Sequence, residues 1–222
     1  MIRRTRLVLL SAAIAAFLSL PAAAPAQLSP GYSGFSGIRY MGQEEVWWSI
    51  RQLGDCLART RRTAAIALLA TTPGTAQETA ATRALLGNNT SCLQPNSRMR
   101  AGRDVIRASV AEGLYRRNFT APPPAQRFQE PEADAPPLPL LVDFASCYVQ
   151  THPAEAHNLL AATRLGSREE HEALRALAPT LGQCLAAGVR FEFPAPLVRL
   201  ALAEALYQRA RRLMPMQQQG GR

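Results

Sequence analysis

The sequence predicts an all-α protein: two tandem pseudo-repeats of three to four helices each, every repeat with one internal disulfide, joined by a Pro-rich linker. Three observations predict it: landmarks that recur at a fixed separation, apolar residues spaced by threes and fours, and an even cysteine count behind an export signal. The recurrence is the most specific. Gly74-Thr75, Glu78, Leu85, Cys92, Arg107 and Ala111-Glu112 return 92 positions later as Gly166-Ser167, Glu170, Leu177, Cys184, Arg199 and Ala203-Glu204. Cys56 and Cys147 differ by 91, which implies one inserted residue between them and the Gly-Thr or Gly-Ser pair. Shared helical composition does not produce that many matches in register, so a tandem duplication is the expected origin.

Residues 1–26 read as a secretory signal peptide. Arg3, Arg4 and Arg6 supply the basic start, Leu7 to Leu20 the apolar run, and Ala24-Pro25-Ala26 the small residues for a cut after Ala26. The run ends at Pro21, short for a membrane span, so no transmembrane segment is expected after cleavage. Arg6 falls where a twin-arginine leader should already be apolar, which favours Sec-type export to the periplasm or the medium. Every basic residue is an arginine. Three of the 25 lie in the leader, which leaves 22 against 16 acids and a mature charge of about +6. The absence of lysine is the mark of a GC-rich genome more than of a binding surface.

Residues 27–42 are rich in Gly, Ser and aromatics without a helical period and are expected to be extended or disordered. The first repeat covers 43–117. Val46, Ile50, Leu53 and Leu57 share one face of its first helix, with Glu44 and Glu45 favouring the N-terminal dipole. Trp47 and Trp48 point about 100° apart, so one is expected in the core and the other at its border. A second helix is expected over Thr63 to Ala70, stopped by Pro73-Gly74, with a counterpart over Pro153 to Thr163. Thr75 and Ser167 are then helix caps, and Glu78 and Glu170, three residues on, are placed to return a hydrogen bond.

The last helix of each repeat carries an i, i+4, i+8 stripe: Ile106, Val110 and Leu114, then Val198, Leu202 and Leu206. Ala108, Ser109 and Glu112 stand opposite the first stripe, whereas Leu197, Leu200 and Ala201 stand opposite the second. The second of these helices is therefore expected to be the more deeply buried. Residues 118–139 contain seven prolines and read as the linker. The second repeat covers 140–213, and 214–222 form a flexible tail.

Four groups of residues invite a chemical reading. Cys56, Cys92, Cys147 and Cys184, in an oxidising compartment, are expected to pair within repeats as Cys56–Cys92 and Cys147–Cys184, since an ancestral unit would have closed its own bridge. His152, His157 and His171 have no metal-ligand spacing and are expected at the surface, so neither a metal nor a cofactor is implied. Glu112 and Glu204 each sit in Ala-Glu-x-Leu-Tyr and could form a symmetric acid–base pair. The preferred expectation is structural: polar core pairs with Arg107 and Arg199 of the neighbouring repeat, because an unpaired buried carboxylate is costly. Tyr115 and Tyr207 are read as packing residues with a bonded hydroxyl.

No motif assigns an activity. The expectation is an exported, non-enzymatic interaction or structural module of the bacterial envelope whose partner is another envelope protein. One alternative is arginine-mediated binding of an anionic glycan or lipid head group through Arg98, Arg100, Arg103, Arg116 and Arg117. The other is a hydrolase using Glu112 and Glu204. Export argues against a nucleic-acid partner.

Overall fold

Residues 43–87, 91–92, 101–126, 140–185 and 193–216 are described here in a computed structural model, and all of them fall within one unit, 32–222. Among these residues there are eight α-helices and no strand, so the all-α class holds. The helices are α1 (Gln43–Thr60), α2 (Arg62–Leu69), α3 (Ala76–Leu86), α4 (Arg103–Asn118), α5 (Leu140–Thr151), α6 (Pro153–Ala162), α7 (Arg168–Leu181) and α8 (Ala195–Leu213). A 3-10 turn, Gly182–Cys184, follows α7.

Helix α4 packs along α1 on one side and α8 on the other, and α8 in turn packs along α5. The order across the molecule is thus α1, α4, α8, α5, with α2–α3 and α6–α7 folded against its ends. Leu53, Leu57, Val110, Leu114, Phe144, Tyr148, Leu202 and Leu206 meet in one continuous core drawn from all four helices. A smaller apolar cluster gathers Ile50, Val105, Ala108, Leu165, Leu197 and Leu200, with Val46 and Trp47 against it. Trp47 packs at that cluster while Trp48 is 38 % exposed, its ring between the guanidinium groups of Arg51 and Arg164.

Two disulfides fasten the periphery. Cys56 on α1 is bonded to Cys92, which follows α3, and Cys147 on α5 to Cys184 in the 3-10 turn. The bridged cysteines are 36 and 37 residues apart in sequence, and closing loops of that length stabilises by about 4 kcal/mol in the chain-entropy account.

Burial departs from the expectation in α4. Every residue from Val105 to Tyr115 is buried, so α4 is enclosed at least as fully as α8, although its outer face carries Ser109 and Glu112. Small side chains explain this. A Cβ on Gly113 would lie 2.8 Å from the Gly54 carbonyl, and one on Gly54 would collide with the Ser109 backbone. The two backbones cross too closely for side chains between them, so α1 seals the polar face of α4.

The segment after α4 also differs from a free linker. Asn118 belongs to α4, Phe119 and Pro123 are buried, and the backbone N–H of Gln126 donates to the Gln150 carbonyl at 2.9 Å. Arg209 donates to the Pro124 carbonyl. The rest of that segment, 127–139, lies outside the described residues, as do residues 1–42, which include the expected leader, and residues 217–222.

Candidate functional site: two buried arginine centres

Each run of four helices places one arginine where three helix ends converge. Arg107, on α4, donates from Nη1 to the Leu68 carbonyl (2.9 Å) and the Thr71 hydroxyl (3.0 Å), and from Nη2 to the carbonyls of Leu69 (3.4 Å) and Thr71 (3.0 Å). The last carbonyls of α2 have no partner within the helix, and the guanidinium supplies one. Its Nε donates to Glu204 of α8 at 2.5 Å, and Glu78 of α3 lies 3.6 Å away.

Arg199, on α8, makes the same set of bonds in the other run. Nη1 reaches the Leu159 carbonyl (3.1 Å) and the Thr163 hydroxyl (2.5 Å), and Nη2 the carbonyls of Leu160 (3.1 Å) and Thr163 (3.3 Å). Nη2 and Nε hold Glu112 of α4 at 2.7 and 3.3 Å, and Glu170 of α7 lies 3.6 Å away. The carboxylates are thus exchanged between α4 and α8, each helix giving an arginine and taking one. Five guanidinium donors in a planar fork suit this task, which an ammonium group could not perform.

Neighbouring helix starts position the second carboxylates. The Thr75 and Ser167 hydroxyls accept the N–H groups of Glu78 and Glu170, each at 3.2 Å. The glutamates return the bond one residue before the cap, to the N–H of Gly74 (2.8 Å) and Gly166 (2.9 Å). That geometry needs the left-handed turn in which the two glycines sit, with φ of 79° and 81°. It also turns Glu78 and Glu170 inward toward Arg107 and Arg199.

The centres differ in enclosure. Arg51 of α1 lies 3.8 Å from Glu112 and covers it, leaving the carboxylate 1 % exposed. Glu204 pairs with no second cation among the described residues and remains 18 % exposed. It opens into a cleft of about 470 Å³ between α5, α8 and the turn after α2. Burial raises the Glu204 carboxyl above its usual range, against the pull of Arg107. Burial also pushes Glu170 up to about 7, against the Gly166 N–H and Arg199. Glu170 Oε1 is buried without a hydrogen-bond partner.

The remaining sequence candidates are dispersed. Tyr115 donates or accepts across to His157 Nδ1 at 2.8 Å, so His157 is half-buried and links α6 to α4 instead of lying free at the surface. Burial drives the Tyr115 phenol above the range in which it titrates and lowers the His157 pKa. His152 precedes α6 with its ring on the Thr151 hydroxyl, and His171 is exposed. Tyr207 is buried with Arg211 over its ring. Among the five arginines of the anionic-ligand alternative, Arg98 and Arg100 lie outside the described residues, Arg103 binds the Thr79 hydroxyl, and Arg116 pairs with Asp55. Arg117 is half-buried. The residues not singled out in the sequence are Thr71, Thr163 and Arg51. The threonines did carry a signal, since they too stand 92 apart.

Compared with protein-family models, curated proteins and solved structures, the chain matches none.

Proposed function

We propose that this chain is an exported, non-enzymatic interaction module of the bacterial envelope, built by duplication of a disulfide-closed four-helix unit. The observation that carries the reading is the reciprocal exchange of Glu112 and Glu204 between Arg199 and Arg107. Both carboxylates hold guanidinium groups that themselves cap helix ends, so their charge is committed to joining the two units. A hydrolase would need those acids to trade protons with substrate, and Glu112 is enclosed by Arg51 and Arg199.

Support for duplication comes from the bonding partners. Leu68 and Leu69 stand to Leu159 and Leu160 at an offset of 91, whereas Thr71 and Thr163 stand at 92. The extra residue of the second unit therefore falls at the end of α6, between Leu160 and Thr163, directly before the arginine's last ligand. Support for export comes from the two disulfides together with the leader-like residues 1–26.

The test is expression of the full chain with its own N-terminus, followed by fractionation, non-reducing peptide mapping and crosslinking in intact cells. The expected result is periplasmic or secreted protein beginning after Ala26, with both bridges formed and a reproducible crosslinked envelope protein. Cytoplasmic protein with free thiols would overturn export. A chain that crosslinks to nothing and turns over a glycan or ester would overturn the module.

A further inference from the structure

The cleft beside Glu204 is where the two halves of the molecule differ most. In the α1–α4 half the corresponding space is occupied: Arg51 lies over Glu112, and α1 meets α4 backbone to backbone at Gly54 and Gly113. In the α5–α8 half, Val142 and Ser146 take the positions of Arg51 and Asp55, and Ala145 and Ala205 those of the two glycines. Among the described residues the result is a trough about 470 Å³ in volume, within the range of sites that enclose a ligand.

Its walls are of two kinds. Val142, Val149, Ala201 and Ala205 supply apolar lining, and Gln150 and Ser146 are lining residues that carry an amide and a hydroxyl. Glu204 also lines the trough, with one oxygen bonded to Arg107. Arg209, Arg211 and Arg212 form the rim, and none of them pairs with a carboxylate among the described residues. Arg209 is held in place by the Pro124 carbonyl and Gln126 Oε1. Arg209 is held by these bonds and Arg211 lies over the Tyr207 ring, while Arg212 is exposed. Three such cations beside an apolar trough attract a partner of opposite charge, and the side-chain amide and hydroxyl suit main-chain groups more than a compact inorganic anion.

We propose that this cleft receives an extended, acidic peptide segment of the partner, with small apolar side chains against Val142 and Ala201, carboxylates at Arg211 and Arg212, and a backbone N–H at Glu204. The proposal rests on the interaction-module reading and supplies the chemistry of its partner. The rim sets attraction and salt dependence. The apolar lining and the Glu204 carboxylate set depth and direction.

The test uses the full exported chain and a fluorescein-labelled peptide alternating Glu and Ala, titrated by anisotropy at low and moderate salt. A peptide with Gln for Glu is the neutral control and inorganic phosphate the competitor. The expected result is saturable binding that weakens about tenfold for the Gln peptide and falls with salt. Ala201→Phe, which fills the trough, should abolish it, and Arg211→Gln with Arg212→Gln should reproduce the loss seen with the Gln peptide. Circular dichroism and unchanged disulfide mapping show that these variants fold, and the arginine variant, at half-buried Arg211 and exposed Arg212, remains informative if Ala201→Phe does not fold. Equal binding of the Gln peptide, displacement by phosphate at similar concentration, or full binding by the arginine variant would overturn the proposal. If Ala201→Phe keeps the envelope crosslink, the cleft assignment falls and the module reading stands. If the wild type gives no crosslink yet binds the peptide, the reverse holds.

Discussion

The centre around Glu112 and the centre around Glu204 are made from the same parts, yet one is sealed and the other faces a cleft. Each has an arginine that caps a helix end, a threonine hydroxyl, an inward-turned glutamate after a left-handed glycine, and a carboxylate lent by the opposite helix. What separates them is the helix laid on top. Gly54 lets α1 descend onto α4 and bring Arg51 over Glu112, while α5 carries Ala145 and Val142 at those positions. Two side-chain sizes therefore decide whether a buried ionic centre is a structural joint or part of the lining of a binding space.

The largest expected effect separates the two arginines. Removing Arg199, which is 0 % exposed, leaves Glu112 with Arg51 alone and strands Glu170 and the last carbonyls of α6 in a place that water does not reach. Arg199→Met should cost about 4–5 kcal/mol of stability in urea unfolding. Arg107→Met strands an equivalent set, but water from the cleft can hydrate Glu204, and the loss should be smaller, about 3 kcal/mol. Equal losses would mean that the difference in exposure has no energetic weight.

The close crossing offers the next test. Gly54→Ala gains helix propensity of roughly 1 kcal/mol but forces α1 away from the Ser109 backbone, and the net loss should be about 2 kcal/mol. Ala145→Gly in α5 relieves no clash and should cost the propensity and one buried methyl, about 1–2 kcal/mol. If Gly54→Ala proves neutral, the sealing of Glu112 has a different cause.

Much of the architecture was legible because it is written in spacing. The apolar stripes of α1, α4 and α8, the helix starts at Thr75 and Ser167, and the boundaries imposed by Pro73-Gly74 and Pro153 all follow from residues close in sequence. The enclosure of α4 was not legible, because Gly54 and Gly113 are unremarkable in their own helices and matter only when the helices cross. Arg51 was missed for the same reason: with Asp55 four residues on, it looks like an ordinary surface pair, and the two do lie 4.0 Å apart. The cleft left no trace in the sequence, since the alanines and valines that line it are equally suited to a core.

The sealed centre should also carry a pH signature. Glu170 is raised by burial from an ordinary value of 4.5 to about 7, so between these values the folded chain holds a proton that the unfolded chain has released. Unfolding free energy from this group is then greatest below pH 4.5 and declines as pH rises toward 7, by up to about 3 kcal/mol. Glu204, also raised by burial, acts in the same direction, whereas His157, lowered by burial from its ordinary 6.5, acts in the opposite one. Glu170→Gln should flatten the decline in urea unfolding followed from pH 4.5 to 8, and His157→Gln should steepen it. An unchanged slope in Glu170→Gln would show that Arg199 keeps this carboxylate ionised.

The smallest effect compares the two caps. Thr75→Ala and Ser167→Ala each remove the acceptor for a glutamate N–H, a change worth about 1 kcal/mol at an ordinary helix start. Ser167 is buried beneath the sealed centre and Thr75 is half-buried at the turn leading to the cleft, so water can replace the lost hydroxyl more readily at Thr75. The loss at Ser167 should therefore exceed that at Thr75 by about 0.5–1 kcal/mol, measured by paired chemical denaturation with both disulfides intact. The order matters more than the size. A Thr75 variant that loses as much as the Ser167 variant would place the α3 start in an environment as dry as that of α7, and the contrast between the two halves would then be confined to the surface of the cleft.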